Sequence, residues 1–152
     1  MSAPKRHYIV PDCQVRPGDA TDHLDWIAKD IIRRKPDVIV CIGDFYDLPS
    51  LSKYSPAGSL EKENSRVIDD IDAGDAAMSR LTYPIWQEIN RIRENKKKSW
   101  KPRMVFTLGN HEHRAARFAS EDARFQGLVG THLLSVESYG FERVPFEQPI
   151  EI

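Results

Sequence analysis

Three short apolar runs, each followed by a polar cluster, constrain the fold of this 152-residue chain more than any other feature. The runs are HYIV at residues 7–10, VIVCIG at residues 38–43 and RMVFTLG at residues 103–109. Runs of aliphatic and β-branched residues of this length predict β-strands. Because they are almost continuously apolar, these runs are typical of a parallel sheet that is covered on both faces.

The segments between these runs have the periodicity of helices. Residues 21–35 place apolar side chains at spacings of three and four behind an N-cap at Thr21 or Asp22. Residues 67–92 predict a long amphipathic helix that is interrupted or kinked at Pro84. Strands that alternate with helices predict an α/β fold.

Composition restricts the class of protein further. The chain is 40% hydrophobic and 30% charged, which is ordinary for a soluble domain, and its apolar runs are much shorter than the ~20 residues that cross a bilayer. We therefore expect a single domain over residues 1–152 and no membrane partner. The first residues lack the apolar stretch of a secretory signal, and two cysteines are too few for a disulfide framework. Both observations predict a cytoplasmic location.

Polar side chains follow all three predicted strands. They are carboxylates, carboxamides and one imidazole: Asp12, Gln14, Asp44, Asp47, Asn110 and His111. Ligands of open parallel sheets bind outside the carboxyl ends of the strands, so these side chains should meet at one edge. Carboxylates beside an apolar core are costly unless a cation compensates them, and oxygen ligands suit divalent cations. The sequence predicts a metal site, in which a shared aspartate would hold two ions about 3.5–4 Å apart.

Three blocks in these positions resemble the motifs of the calcineurin-like metallophosphoesterases. The blocks are DCQ at Asp12–Gln14, GDFYD at Gly43–Asp47 and GNHE at Gly109–Glu112. The family pattern is D-x-H, GDxxD and GNH[DE], followed by a further histidine and a GHxH block. The resemblance covers residues 7 to 115. It implies a layered α/β sandwich of the metallophosphoesterase type and hydrolysis of a phosphate ester by a hydroxide that bridges two metal ions.

The resemblance also implies how the metal ions would be held. Asp12 and Gln14 would bind the first ion, and Asn110 would bind the second. Asp44 would bridge the two ions. Mn²⁺ is the expected metal, with Mg²⁺, Fe²⁺ and Zn²⁺ as alternatives, and the expected substrate is a phosphate ester, including a nucleotide or a nucleic acid.

His111 would be the catalytic residue that faces the substrate and protonates the leaving oxygen, with Asp47 orienting it. An imidazole whose other nitrogen contacts a carboxylate keeps one tautomer and gains basicity. Arg114, in the first turn of the next predicted helix, would bind a substrate phosphate together with His111. A solvated helix surface is the alternative for Arg114 and His113.

The chain departs from the family pattern in two places. Gln14 stands where the family has histidine, and the later histidine and the GHxH block are absent. We therefore expect the chain to be the amino-terminal portion of a longer phosphoesterase or a shortened relative. The alternative is a catalytically incomplete metal- or phosphate-binding module that needs a carboxyl-terminal half or a partner, such as a second copy of the chain. A replacement ligand at His132 is a further alternative.

Simpler interpretations exist for single residues. Asp44 would cap a turn, Asp47 would cap a short helix that begins in DLPSLSKY, and Gln14 would be an ordinary loop residue. The basic segment at residues 90–103 is either a solvated helix end or a phosphate-contacting strip in which Trp100 stacks on bases.

Overall fold

In the described residues, 4–95 and 99–152 of the computed structural model, four parallel strands form one sheet. The strands lie in chain order as β1 (His7–Val10), β2 (Val38–Cys41), β3 (Arg103–Thr107) and β4 (Glu142–Val144). The last residue of β1 pairs with the last residue of β2, which pairs with Phe106 of β3. These three strands therefore end at the same edge, and the predicted α/β class is confirmed.

Three α-helices of the described residues connect or follow the strands: α1 (Asp22–Arg34), α2 (Val67–Glu94) and α3 (His113–Glu121). The N-cap of α1 is Thr21, but its side chain makes no capping bond to the backbone. Instead the Thr21 hydroxyl accepts a hydrogen bond from Nη1 of Arg80 at 3.0 Å, and the same guanidinium binds Asp22 and Asp25. These contacts with Arg80 therefore join the first turn of α1 to α2.

The predicted interruption at Pro84 is wrong, because α2 runs through this proline as a 28-residue helix. The alternative, a kink at Pro84, stays a prediction. An interior proline costs about 3 kcal/mol or more through a lost hydrogen bond and a clash. Leu81 and Ile85 on either side are fully buried, and two such side chains contribute about 3–6 kcal/mol. Packing against the core offsets the local cost.

The core lies between the sheet and the helices. All four residues of β2 are buried, as expected for a strand that is covered on both faces. The largest buried apolar side chains come from strands, helices and the loop after β2: Leu24, Ile31, Ile39, Phe45, Tyr46, Met78, Leu81, Ile85 and Phe106. Gly74 of α2 lies against the ring of Tyr46, where a Cβ atom would come within 2.0 Å of a ring carbon. This glycine lets the loop after β2 pack directly on α2.

The stacking role considered for Trp100 is wrong. Its side chain is buried, and Nε1 donates a hydrogen bond to the carbonyl oxygen of Pro36 at 2.8 Å. The lysines at residues 96–98 of the same basic segment lie outside the described residues. Among the helices of the described residues, none has the length and apolar character needed to cross a bilayer.

Candidate active site

The loops after β1 and β2 run side by side beyond the edge of the sheet. The backbone N–H of Gln14 donates to the carbonyl oxygen of Asp44, and Val15 donates to Phe45, both at 2.8 Å. Gln14 and Asp44 have φ angles of 44° and 49°, in the left-handed region that non-glycine residues rarely adopt. Conformations of this kind cost about 1–3 kcal/mol each and cluster at functional sites. The two predicted ligands therefore lie in adjacent, strained loops.

The loop after β3 packs onto the loop after β2 through the two motif glycines. A Cβ atom on Gly43 would lie 2.5 Å from the backbone nitrogen of Gly109, and one on Gly109 would overlap Oδ1 of Asp44. That carboxylate oxygen also accepts a hydrogen bond from the backbone N–H of His111 at 2.9 Å. Asp44 is thus held at the point where all three loops meet.

A buried carboxylate that the sequence analysis did not assign organises this meeting point. Glu112 has no exposed surface. Its Oε1 accepts hydrogen bonds from the backbone N–H groups of Phe45 and Tyr46 at 2.8 and 2.9 Å, and its Oε2 accepts from Asp44 and Gly109 at 2.9 Å. Burial raises the pKa of Glu112, whereas the N–H donors oppose that rise. The only sequence signal for this role was the acidic residue after GNH.

Asp47 is the second organising carboxylate, and it is only 1% exposed. Its Oδ1 lies 2.5 Å from Nδ1 of His111, off the direction of a straight hydrogen bond. Its Oδ2 forms an ion pair with Nε of Arg16, a loop residue that the sequence analysis did not single out. The contact that was expected between Asp47 and His111 is present, whereas the role of Asp47 as a helix cap is wrong. The N-cap of the following 3₁₀ turn is Leu48.

Arg114 completes this group of side chains. Its Nη1 donates to the main-chain oxygen of Asp47 at 2.6 Å, and its Nη2 lies 3.1 Å from Nε2 of His111. Because a guanidinium only donates, Nε2 is the acceptor, and the proton of the neutral ring lies on Nδ1, facing Asp47. The Arg114 side chain is 11% exposed, so the solvated-surface alternative is wrong for this residue. His113 stacks on Phe146 with ring centroids 4.7 Å apart.

These side chains border a cavity of about 600 Å³, within the range of ligand-binding pockets. Its lining includes three arginines and three acidic or imidazole groups of the site: Arg16, Asp47, Arg66, Asp70, His111 and Arg114. Asp70 of α2 is 2% exposed and accepts hydrogen bonds from the backbone N–H and the hydroxyl of Ser50. This pair joins the first turn of α2 to the loop after β2 at the wall of the cavity.

The four predicted metal ligands follow β1, β2 and β3, and none of the four is among the described residues that line this cavity. Asp12, Gln14 and Asn110 are exposed, and Asp44 is partly buried. They offer two carboxylates and two carboxamides, a set of oxygen donors that fits Mg²⁺ or Mn²⁺ better than Zn²⁺. In the part of the chain that the structure describes, no three His, Cys, Asp or Glu side chains converge to hold a metal ion. Any metal here would depend on the carboxamide oxygens.

Two further residues, Cys13 and His132, have side chains of a type that binds metals. The Cys13 thiol contacts the carbonyl oxygen of Pro11, and burial raises its pKa to about 11, with the Asp12 carboxylate adding to the rise. Since metals bind the thiolate, Cys13 is a poor ligand at neutral pH. His132 is exposed on the 3₁₀ turn Thr131–Leu133, which does not follow a strand of the sheet.

No protein-family model, curated protein or solved structure matches this chain. The resemblance to metallophosphoesterases therefore rests on the three motif blocks. The roles suggested for their residues stay predictions, which the geometry supports in specific places.

Proposed function

We propose that this protein is a metal-dependent phosphoesterase of the calcineurin-like type, with the layered α/β sandwich of that family. One observation carries the proposal. Asp47, His111 and Arg114 form a connected group on the wall of a cavity, directly beside the strand-end loops that present Asp44 and Asn110. An acid–base side chain, cations for a phosphate and oxygen ligands for a metal are thus gathered at one edge of a parallel sheet.

Each side chain has a defined task in this proposal. Arg114 and Arg16 bind the phosphoryl oxygens, because guanidinium groups form charge-assisted hydrogen bonds with phosphate. A phosphate that engages Arg114 frees Nε2 of His111, which then takes up a proton from solvent to form the imidazolium. This Nε2–H donates its proton to the leaving oxygen, and the ring returns to the neutral form with its proton on Nδ1. Asp47 keeps the ring oriented through Nδ1.

Asp12, Gln14, Asp44 and Asn110 would hold the divalent cations. When bound, these ions would neutralise the phosphoryl charge and lower the pKa of the attacking water. Mn²⁺ is the proposed metal, because the donor set consists of oxygens. A cytoplasmic location is part of the same proposal, and two free cysteines support it.

The test is hydrolysis of p-nitrophenyl phosphate and bis(p-nitrophenyl) phosphate in the presence of Mn²⁺. His111→Gln should lower kcat by at least about 100-fold, the lower end of the usual contribution of a general acid. His132→Gln is the matched control, because this histidine is exposed and lies on another element, and it should behave like the parent protein. A parent without activity, or an active His111→Gln variant, would contradict the proposal.

A second candidate function is a binding module that takes up metal and phosphate without turnover. The composition of the ligand set favours it, since the carboxamide oxygens of Gln14 and Asn110 are weaker donors than the imidazole nitrogens found in dimetal hydrolases. Metal stoichiometry separates the two candidates. An enzyme should bind two Mn²⁺ ions and turn over, whereas a binding module should bind one ion well and release no product.

A further inference from the structure

A second, smaller cavity of about 170 Å³ adjoins the first one, and Ser52 lines both. Its walls are α3 and the segment that follows β2. The residues with polar or aromatic side chains that border it include Lys53, Lys62, Arg117, Phe118 and Glu121. A volume below the 300–1,000 Å³ of typical ligand pockets suits one group of a larger molecule.

The charge of this second cavity is positive and only partly compensated. Among the residues that the structure describes, its lining has three cationic side chains and one acidic one, Glu121, whose Oε1 lies 3.8 Å from Nε of Arg117. Within the described residues, Lys53 and Lys62 form no ion pair. By contrast, Arg16 and Arg114 in the first cavity both contact Asp47. The second cavity therefore holds cations that are free to bind an anion.

The described lining of the first cavity is more acidic than that of the second. Besides Asp47, its lining carries the acidic side chains of Glu63, Asp69 and Asp70. A phosphate placed beside these carboxylates would be repelled, whereas one placed between Lys53 and Lys62 would be attracted. A substrate with two phosphates would accordingly extend from His111 past Ser52 into the second cavity.

We propose that the second cavity binds a phosphate group of the substrate other than the one that is hydrolysed. This inference rests on the proposed function, because it takes the reacting phosphate to lie beside His111. The substrate then carries at least two phosphates, either as a nucleotide with two phosphoryl groups or as single-stranded nucleic acid. Lys53, Lys62 and Arg117 determine the preference for such substrates over monophosphates.

Equilibrium binding of three probes without added metal tests this assignment. The probes are thymidine 5′-monophosphate, thymidine 3′,5′-bisphosphate and a single-stranded oligothymidylate. The double variant Lys53→Ala/Lys62→Ala should bind one or both of the polyphosphorylated probes about 5- to 30-fold more weakly and the monophosphate unchanged. For the oligonucleotide, the logarithm of the association constant falls as the logarithm of the salt concentration rises. The steepness of this fall should decrease by about 1.4 in the double variant, because two phosphate contacts are lost.

The matched control is Lys29→Ala/Lys101→Ala, which removes the same charge from exposed lysines that border neither cavity. If the double variant binds both polyphosphorylated probes more weakly, the second phosphate site lies one nucleoside away from the reacting phosphate. If it binds only the oligonucleotide more weakly, the site lies further along the strand. Unchanged binding of both probes, or an equal loss in the control, overturns the proposal.

Hydrolysis assays on the same preparations keep this inference separate from the proposed function. If the parent protein binds the polyphosphorylated probes through Lys53 and Lys62 but hydrolyses no ester, the proposed phosphoesterase activity is refuted and the second phosphate site is supported. If the parent protein hydrolyses esters and the double variant binds every probe as the parent does, the second phosphate site is refuted and the proposed phosphoesterase activity is supported.

Discussion

Glu112→Gln is the substitution that most directly probes how the loops of the candidate active site are held. The two carboxylate oxygens accept four backbone hydrogen bonds, two at each oxygen. A glutamine keeps the shape of the side chain, but its NH₂ group faces two N–H donors and cannot accept from them. Glu112→Gln therefore loses two of the four hydrogen bonds, either those from Phe45 and Tyr46 or those from Asp44 and Gly109.

The cost follows from those two donors. A buried donor left without an acceptor costs about 1–3 kcal/mol, so two of them cost about 2–6 kcal/mol. The loss of a buried charge works in the opposite direction, because burial disfavours the ionised form of Glu112. We expect a net loss of about 2–4 kcal/mol, which lowers the Tm of a domain of this size by about 4–16 °C.

Thermal and urea unfolding of the parent and of Glu112→Gln measure this loss. Glu121→Gln is the matched control, since this glutamate is exposed at the last residue of α3, the helix whose N-cap is Glu112, and should change the unfolding free energy by less than about 0.5 kcal/mol. If Glu112→Gln unfolds within 2 °C (about 0.5–1 kcal/mol) of the parent protein, the four hydrogen bonds do not hold the loops and the reasoning is wrong.

Two further substitutions test the neighbouring groups. Burial raises the pKa of Asp70 above its usual 3.8, so its contribution to stability is complete below that pH and is lost as the pH rises through the folded-state pKa. Asp70→Asn keeps an oxygen that accepts both hydrogen bonds from Ser50. It should flatten the decline of the unfolding free energy above pH 3.8, which urea titrations at stepped pH would measure. An unchanged pH dependence would show that Asp70 does not cause this decline. Gln14→His supplies a nitrogen ligand and should tighten Mn²⁺ or Zn²⁺ binding in calorimetry, whereas weaker binding would place Gln14 outside the coordination sphere.

The sequence was sufficient for β1, β2 and β3 and for the edge of the sheet at which the polar residues follow them, whereas β4 was not among the three strands that the apolar runs predict. Runs of β-branched residues at 38–41 and 103–107 are local signals, and the structure has β2 and β3 at these positions. The meeting of the three loops follows from parallel pairing in register, which makes neighbouring strands end together. Asp47 could be placed beside His111 only through the motif resemblance, since 64 residues of chain separate these two positions.

Features that depend on contacts between distant parts of the chain could not be predicted from local sequence patterns. The bond between Glu112 and the backbone of Asp44 spans 68 residues, and nothing local distinguishes this glutamate from an exposed one. The continuity of α2 through Pro84 depends on the burial of its neighbours, which local propensity does not contain. The burial of Trp100 likewise depends on a distant partner, since its N–H donates to the carbonyl oxygen of Pro36, 64 residues away.

The most direct test of the central claim is a calorimetric titration of Mn²⁺ into the parent protein and into Asp44→Asn. Asp44 lies where the three strand-end loops meet, so its carboxylate should be indispensable to any metal held there. Asp37→Asn, at the opposite end of β2 and exposed, is the control for the change in charge. We expect the parent and the control to bind Mn²⁺ and folded Asp44→Asn not to bind it. A parent that binds no Mn²⁺, or an Asp44→Asn variant that binds it with the affinity of the parent, would exclude a metal site held by Asp44.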